Sequence, residues 1–174
     1  MAYVRTIPPA EAAGALRLVY DRIAEERGGV AAIHQVASLR PDLVGAHFRF
    51  YKSLMFAEGG LGRRLRERIA VAVSAANGCR YCEAHHGEAL CRLGGAPAGP
   101  PADAREAALD AFARKLTQEP TACGAADIEA LRAAGLTDPE IVDAVFVASY
   151  FNLANRVVSA LGVELEPGYT ETCR

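Results

Sequence analysis

One short stretch, residues 67–86, holds most of the reactive side chains of this 174-residue chain. It begins at Glu67, continues through an apolar segment to a CxxC pair, Cys79 and Cys82, and ends at His86. In one unbroken helix the carboxylate of Glu67 would lie about 18 Å along the axis from Cys79, too far to touch it. These residues can therefore form a site only if the chain reverses between the carboxylate and the thiols.

The Asn77-Gly78 pair predicts such a reversal. Both residue types tolerate the left-handed backbone that ends a helix and lets another begin. We therefore predict one helix over 61–76 and a second over 78–93. Successive helical residues turn by about 100°, so the two thiols and the imidazole share one face of the second helix. If the two helices pack side by side, Glu67 can reach that face.

These residue types predict thiol redox chemistry. A cysteine at a helix N-terminus faces unpaired backbone N–H groups and the positive end of the helix dipole, which favour thiolate over thiol. By this argument alone Cys79 is the more reactive sulfur. A histidine and a glutamate nearby can move protons, and a second thiol can trap an oxidised sulfur as a disulfide. The stretch thus predicts a dithiol peroxidase or oxidoreductase.

The pattern Glu-x11-Cys-x2-Cys-x3-His resembles the active-site motif of the alkylhydroperoxidase D and carboxymuconolactone decarboxylase superfamily. Residues 148–164 resemble the C-terminal helix of the peroxidase-related branch of that superfamily. Together with residues 12–88, the resemblance covers most of the chain. It implies a helical alkylhydroperoxidase D-like domain and an enzyme that reduces hydroperoxides through a CxxC dithiol/disulfide cycle.

The resemblance also implies roles for the four motif residues. In that family the second cysteine becomes a sulfenic acid and the first resolves it, which implies Cys82 as the peroxidatic and Cys79 as the resolving residue. His86, one turn beyond Cys82, would polarise it, and Glu67 would be the base that orients or deprotonates this relay. No resident cofactor or metal is expected, and an external dithiol protein or small thiol would regenerate the site.

The chain departs from the family pattern at one position. The hydroperoxidases carry a histidine just before the second cysteine, where this chain has Tyr81. His85 points about 100° away from His86 on the helix, so it cannot be assumed to take the place of the missing histidine. We treat Tyr81 and His85 as possible secondary site residues.

Apolar spacing and capping signals predict helices along the rest of the chain, and we find no β alternation. Two capping boxes are expected, Asp103 with Glu106 and Thr137 with Glu140. The predicted fold is all-α, with seven or eight helices in a single domain over residues 1–174. The remaining helices are predicted over 10–27, 30–39, from Pro41 to before Gly59, 103–118, 125–134 and 138–161.

Composition narrows the classes of partner. The chain is 51% hydrophobic and 23% charged, with a formal charge of −2, which argues against nucleic acid or anionic membrane partners. We find no apolar run near the roughly 20 residues that a membrane span needs, and we expect no signal peptide. Five cysteines without framework spacing fit a cytoplasmic protein with one catalytic pair, and Cys91, Cys123 and Cys173 are interpreted as lone thiols. The apolar content of a small helical chain suggests a homo-oligomer, whether dimer, trimer or hexamer.

Other functions remain open from the sequence. A zinc site could draw three ligands from the two thiols and His86 and a fourth from His85 or Glu67, although structural zinc usually takes its second ligand pair from another segment. A non-catalytic redox sensor could use the same disulfide as a switch. A carboxymuconolactone decarboxylase-type enzyme is the third alternative, but those members generally lack the CxxC.

Several polar residues are given structural interpretations. The arginines at 63–68 are expected to form a solvated helix start, with an interfacial salt-bridge network as the alternative. Asn152 and Asn155 interrupt an apolar face, where we expect them to satisfy backbone groups of a neighbouring helix or subunit, with contact to a substrate as the alternative. His34 and His47 lack reactive neighbours in sequence and are interpreted as hydrogen-bonded polar residues or pocket wall.

Overall fold

The computed structural model describes residues 2–169 and confirms the all-α fold. Those residues form eight α-helices and two short 3-10 turns, Pro9–Glu11 and Pro120–Ala122, and contain no β-strand. The helices are α1 (Gly14–Arg27), α2 (Ala32–Gln35), α3 (Pro41–Met55), α4 (Arg63–Ala76), α5 (Arg80–Arg92), α6 (Ala104–Gln118), α7 (Ala125–Ala133) and α8 (Asp138–Leu161).

The described chain divides into two compact units. The first comprises residues 2–53 and 156–169, and the second comprises residues 54–155. The organisation of the whole chain as a single domain stays a prediction. All four motif residues belong to the second unit.

The first unit has a core between α1 and α3. Tyr20 and Ile23 of α1 are almost fully buried and cluster with Val44 and Phe48 of α3. The Tyr20 hydroxyl donates to the Ile7 carbonyl at 3.1 Å, which ties the extended N-terminal segment to this core. Helix α2 is shorter than the predicted 30–39, because residues 36–39 continue only as turns.

Helix α4 is the central element of the second unit. Its residues are buried without interruption from Arg66 to Ser74, and it packs against α5 and α6. Helix α6 in turn packs against α7. The apolar second half of α4 explains this position, because all its sides face protein.

The prediction of a solvated arginine-rich start on α4 is wrong for two of its members. Arg66 is 2% exposed and donates to the carbonyls of Ala57 and Gly59 and to Asp143. Arg68 is also buried and forms a bidentate pair with Asp110 on α6. The compensating carboxylates lie 42 and 77 positions away in sequence, so local charge patterning gave no sign of them.

The two predicted capping boxes have different outcomes. Glu140 accepts from both the backbone N–H and the hydroxyl of Thr137, at 2.8 and 2.9 Å. Asp103 accepts from the Glu106 backbone at 2.8 Å, but the Glu106 carboxylate reaches back to the N–H of Ala102 instead of Asp103. Both helices nevertheless begin where the signals indicated.

Helix α8 corrects the expectation that no segment has the length and hydropathy of a membrane span. Within residues 2–169 it is the one helix that meets both criteria, with 24 residues and a best-window mean hydropathy of 1.3. Half of that window is buried inside the protein. A buried core helix passes the same test, so the criterion is weak evidence for a span.

The junction between α4 and α5 confirms the predicted helix break. Asn77 caps α4 in a right-handed conformation, and Gly78 follows with φ +64°. A residue with a side chain pays about 1–2 kcal/mol in that left-handed region. Gly78 therefore lets α5 start within four residues of the end of α4.

We predict that Gly78→Ala lowers the free energy of unfolding by about 1–2 kcal/mol through backbone strain. Gly29→Ala is a matched control, because an added Cβ meets no atom within 4 Å at either site and Gly29 lacks a positive φ. Urea unfolding of both variants measures the difference. Equal stabilities would contradict this account of the junction.

Candidate active site

Glu67 is the buried centre of the site. Its side chain is fully inaccessible, and its Oε2 lies 2.6 Å from His86 Nδ1 across the α4–α5 packing. Its other oxygen, Oε1, accepts from Arg63 one turn earlier on α4, at 2.7 Å from Nε. The structure thus brings Glu67 and His86 into contact although they are nineteen positions apart.

The charge state of Glu67 follows from these two partners. Burial raises the pKa of Glu67, but the charges and hydrogen bonds of His86 and then Arg63 outweigh it and keep the pKa below its ordinary value. The carboxylate is therefore ionised at neutral pH and only accepts hydrogen bonds. His86 Nδ1 is therefore the donor in its contact with Glu67.

Aromatic contacts hold both partners of Glu67. The Arg63 guanidinium lies over the ring of Phe56 at 3.8 Å from its centroid. The His86 ring packs edge-on against Phe151 of α8, with centroids 4.5 Å apart. These contacts restrict the rotamers of Arg63 and His86 and so fix the geometry of the carboxylate between them.

The two thiols lie at the start of α5. Cys79 is the N-cap residue and Cys82 lies in the first turn, and both are unpaired and about 97% buried. A hydrogen bond from the Cys82 thiol lowers the pKa of Cys79 to about 7, assisted by the backbone N–H groups of Cys82 and Tyr81 and opposed by burial. The hydrogen bond to Cys79, burial and the Cys79 charge raise the pKa of Cys82 well above its ordinary value.

The two thiols therefore titrate as one unit. Near neutral pH the pair loses one proton and keeps the other between its sulfurs, which is the usual behaviour of strongly interacting groups. In the resting pair the charge resides mainly on Cys79, as expected for a cysteine at a helix N-terminus. Hydrogen bonds, and not the charge of a cationic residue, thus lower the pKa of Cys79.

Sequence reasoning missed two residues of this site. Arg63 was expected to be solvated, although its spacing of four from Glu67 is a readable signal for a helical ion pair. Asn155 on α8 was expected to satisfy backbone groups, but its amide hydrogen-bonds to both sulfurs. The only signal in the sequence was that Asn155, a polar residue, lies within an apolar helix face, which indicates a buried hydrogen-bonded amide.

The secondary candidates lie next to each other on α5. Tyr81 is buried, and its ring centroid lies 4.6 Å from that of His85. This contact occupies the side of the helix where the family pattern has its additional histidine. The contribution of either residue to catalysis stays a prediction.

The other cysteines and histidines have separate environments. Cys123 is an unpaired thiol whose pKa is raised by partial burial and by Asp127, whereas Cys91 is disulfide-bonded, which corrects its interpretation as a lone thiol. Cys173 lies outside the described residues.

His34, in the first unit, is buried with its pKa lowered to about 4, chiefly by burial, and its Nδ1 lacks a hydrogen-bond partner among the described residues. This contradicts the interpretation of His34 as a fully satisfied polar residue and leaves the alternative of a pocket wall as a prediction.

The geometry gives the zinc alternative no support. Across residues 2–169 no group of three or more histidine, cysteine, aspartate or glutamate side chains is arranged to hold a metal ion. Glu67 and His86 are directed at each other, which uses two of the would-be ligands.

We predict that ultraviolet titration of the reduced protein shows one thiolate forming with an apparent pKa of about 7. Cys82→Ala removes the largest cause of this shift, so the step should move up towards the ordinary cysteine value of 9.0. Cys123→Ser is the control and should leave the step in place. A wild-type step already near 9.0 would contradict the proposed coupling of the two sulfurs.

Comparison with known proteins agrees with this architecture. The sequence profile of the carboxymuconolactone decarboxylase family matches residues 41–111. A search of curated proteins gave no match. Among solved structures, an uncharacterised peroxidase-related protein from Silicibacter sp. is 32% identical, with a TM-score of 0.80, over 88% of this chain and 85% of that one.

Two further structures share the fold. An uncharacterised peroxidase-related protein from Ralstonia eutropha, described as an alkylhydroperoxidase D core, is 29% identical over 95% of this chain and 92% of that one, with a TM-score of 0.79. A debrominase in complex with 2,3,4-tribromopyrrole has a TM-score of 0.78 at 18% identity, over 94% and 91% of the two chains, which shows the fold alone. The chain belongs to the alkylhydroperoxidase D and carboxymuconolactone decarboxylase superfamily.

Proposed function

We propose that this protein is a thiol-dependent peroxidase that reduces hydroperoxides through the Cys79/Cys82 dithiol. The observation that carries the proposal is the direct contact of the buried Glu67 carboxylate with His86. His86 lies on α5, the helix that begins at the hydrogen-bonded dithiol. A thiolate supplies the nucleophile and an oriented imidazole supplies the proton that the leaving group needs.

The reaction begins with the proton shared by the two sulfurs. Transfer of that proton from Cys82 to Cys79 along their hydrogen bond produces a Cys82 thiolate, one helical turn from His86. This step reconciles the resting charge on Cys79 with the family resemblance, which implies Cys82 as the peroxidatic residue. The four-residue spacing of Cys82 and His86 on α5 supports a role for His86 at the reacting sulfur.

Oxidation then proceeds with balanced electrons and protons. The Cys82 thiolate attacks the distal oxygen of the hydroperoxide, so that an S–O bond forms and the O–O bond breaks. The departing alkoxide takes a proton from His86 Nε2 and leaves as an alcohol, while Glu67 holds Nδ1–H in place. The dithiol returns this proton to Nε2 when one thiol of the regenerated pair ionises. Sulfur loses two electrons and the peroxide gains them.

Resolution and regeneration complete the cycle. The Cys79 thiol attacks the Cys82 sulfenic acid, forming the disulfide and releasing the hydroxyl group with the thiol proton as water. An external dithiol then reduces this disulfide and is itself oxidised to a disulfide. We propose a dithiol protein or small thiol for this role, with no bound cofactor, in the cytoplasm and without nucleic acid or membrane partners.

We further propose a homo-oligomer. Val142, Phe146 and Leu153 are each about half exposed and share one face of α8, spaced four and seven residues apart. Large exposed apolar groups in register on one helix face are typical of a subunit interface. Light scattering on the purified protein tests this proposal, and a monomer at micromolar concentration would rule it out.

We predict that hydrogen peroxide or cumene hydroperoxide removes two thiols per chain, since one peroxide oxidises one Cys79/Cys82 pair. In Cys79→Ser a sulfenic acid should accumulate on Cys82 and be trapped by dimedone, because the resolving thiol is absent. In Cys82→Ser no such adduct should form at Cys79. Thiol counting and mass spectrometry of the peptides measure both results.

Further measurements test the role of Glu67 and distinguish the peroxidase from the alternative functions. Glu67→Gln leaves both sulfurs but removes the charge that orients His86, so oxidation should slow while the final thiol loss stays at two.

Unchanged thiol counts in the wild-type protein after peroxide would overturn the peroxidase proposal. Disulfide formation without turnover in the presence of excess dithiol would instead support the redox sensor, and decarboxylation of a carboxymuconolactone would support the third alternative.

A further inference from the structure

A chain of three asparagines connects the dithiol to the backbone of α8. Asn152 Nδ2 donates to the carbonyl of Ala148 at 3.1 Å, and Asn77 Nδ2 donates to Asn152 Oδ1 at 3.1 Å. Asn77 Nδ2 also donates to Asn155 Oδ1, at 2.9 Å. Asn155 is 1% exposed, so its amide must find all its partners inside the protein.

The order of donors along this chain has only one consistent direction. A backbone carbonyl only accepts, so Asn152 must turn its NH2 group to Ala148 and its oxygen to Asn77. Asn77 must then present its NH2 group, and Asn155 must present its oxygen to Asn77. The NH2 group of Asn155 is thereby left facing Ser74 and the two sulfurs.

The contacts of that NH2 group complete the connection. Asn155 Nδ2 donates to the Ser74 hydroxyl at 3.2 Å, and the amide hydrogen-bonds to the sulfurs of Cys79 and Cys82. The Ser74 carbonyl also accepts the backbone N–H of Cys79 at 2.9 Å. One side chain of α8 therefore contacts the end of α4 and both thiols at the start of α5.

We propose that Asn155 is an additional catalytic residue, and that the Ala148 carbonyl, Asn152 and Asn77 orient its NH2 group towards the sulfurs. A donor directed at a buried sulfur stabilises the thiolate, because negative charge strengthens the hydrogen bond. Both cysteine pKa values are lowered by this amide. Asn77 and Asn152 are positioning residues that act only through Asn155.

The inference deepens the proposed peroxidase site but requires only the dithiol, so the experiment is performed on reduced protein without peroxide. Ultraviolet titration measures the apparent pKa of the pair in wild type, Asn155→Ala and Asn155→Asp. Loss of one hydrogen bond to a charged group should raise the apparent pKa by about one unit in Asn155→Ala. Asn155→Asp should raise it further, since a carboxylate cannot donate and adds a negative charge.

A second variant tests the orienting role without touching either sulfur. Asn77→Ala is neutral and removes the donor that fixes the Asn155 oxygen, so the apparent pKa should rise by less than in Asn155→Ala. Thr117→Val is the matched control, because Thr117 accepts from Asn152 at 3.0 Å while the Ala148 carbonyl still fixes that amide. It should leave the pKa unchanged.

The outcomes separate a role at the sulfurs from a structural role. If Asn155→Ala and Asn77→Ala lower thermal stability but leave the titration of the dithiol unchanged, the inference is wrong. Shifts of equal size in Asn77→Ala and Thr117→Val would also overturn the orienting role. Because the titration involves no oxidant, a protein without peroxidase activity could still give the expected shifts, so failure of either proposal is recognisable separately.

Discussion

The contact between Glu67 and His86 is the interaction on which the second unit depends. An ionised carboxylate buried without partners costs several kcal/mol, so its position on α4 is tolerable only with a hydrogen-bond donor on each oxygen. Arg63 supplies one from the same helix, and His86 supplies the other from α5. The second partner is within reach because α4 ends at Ala76 and the chain turns at Gly78. The helix break therefore both connects α4 to α5 and brings His86 within reach of the buried Glu67 carboxylate.

The same logic applies to the other charges of α4. Helices that are buried on all sides are usually apolar, yet this one also contains Arg66 and Arg68. Each guanidinium is neutralised by a carboxylate on another helix and also binds loop carbonyls, including those of Gly59 and Ala96. These arginines therefore fasten the loops on either side of the α4–α5 pair. A helix held in this way gives Glu67 a fixed position, which an oriented proton relay requires.

The sequence predicted the features that depend on neighbours along the chain. The helix break at Gly78, the start of α8 directly after Thr137 and the convergence of Glu67 with His86 all follow from residues within about twenty positions of one another. The partners of Arg66 and Arg68 could not be predicted in this way, because any of several carboxylates satisfies the same charge. Asn155 was misjudged for a related reason: a buried amide must be hydrogen-bonded, but this rule does not name the partner. Its contact with the sulfurs follows from the packing of α8, which single-sequence periodicity does not specify.

The surroundings of the dithiol also bear on how the site would be regenerated. The N-cap N–H groups, the hydrogen bond between the sulfurs and the Asn155 amide all stabilise a thiolate, and a disulfide carries no such charge. These contacts therefore lower the free energy of the reduced pair more than that of the disulfide, which makes the disulfide easier to reduce. The proposed reaction with an oxidant requires a thiolate at neutral pH, and stabilisation of that thiolate also favours the return of the pair to the reduced state. The features that activate Cys79 and Cys82 are thus also those that would let an external dithiol close the cycle.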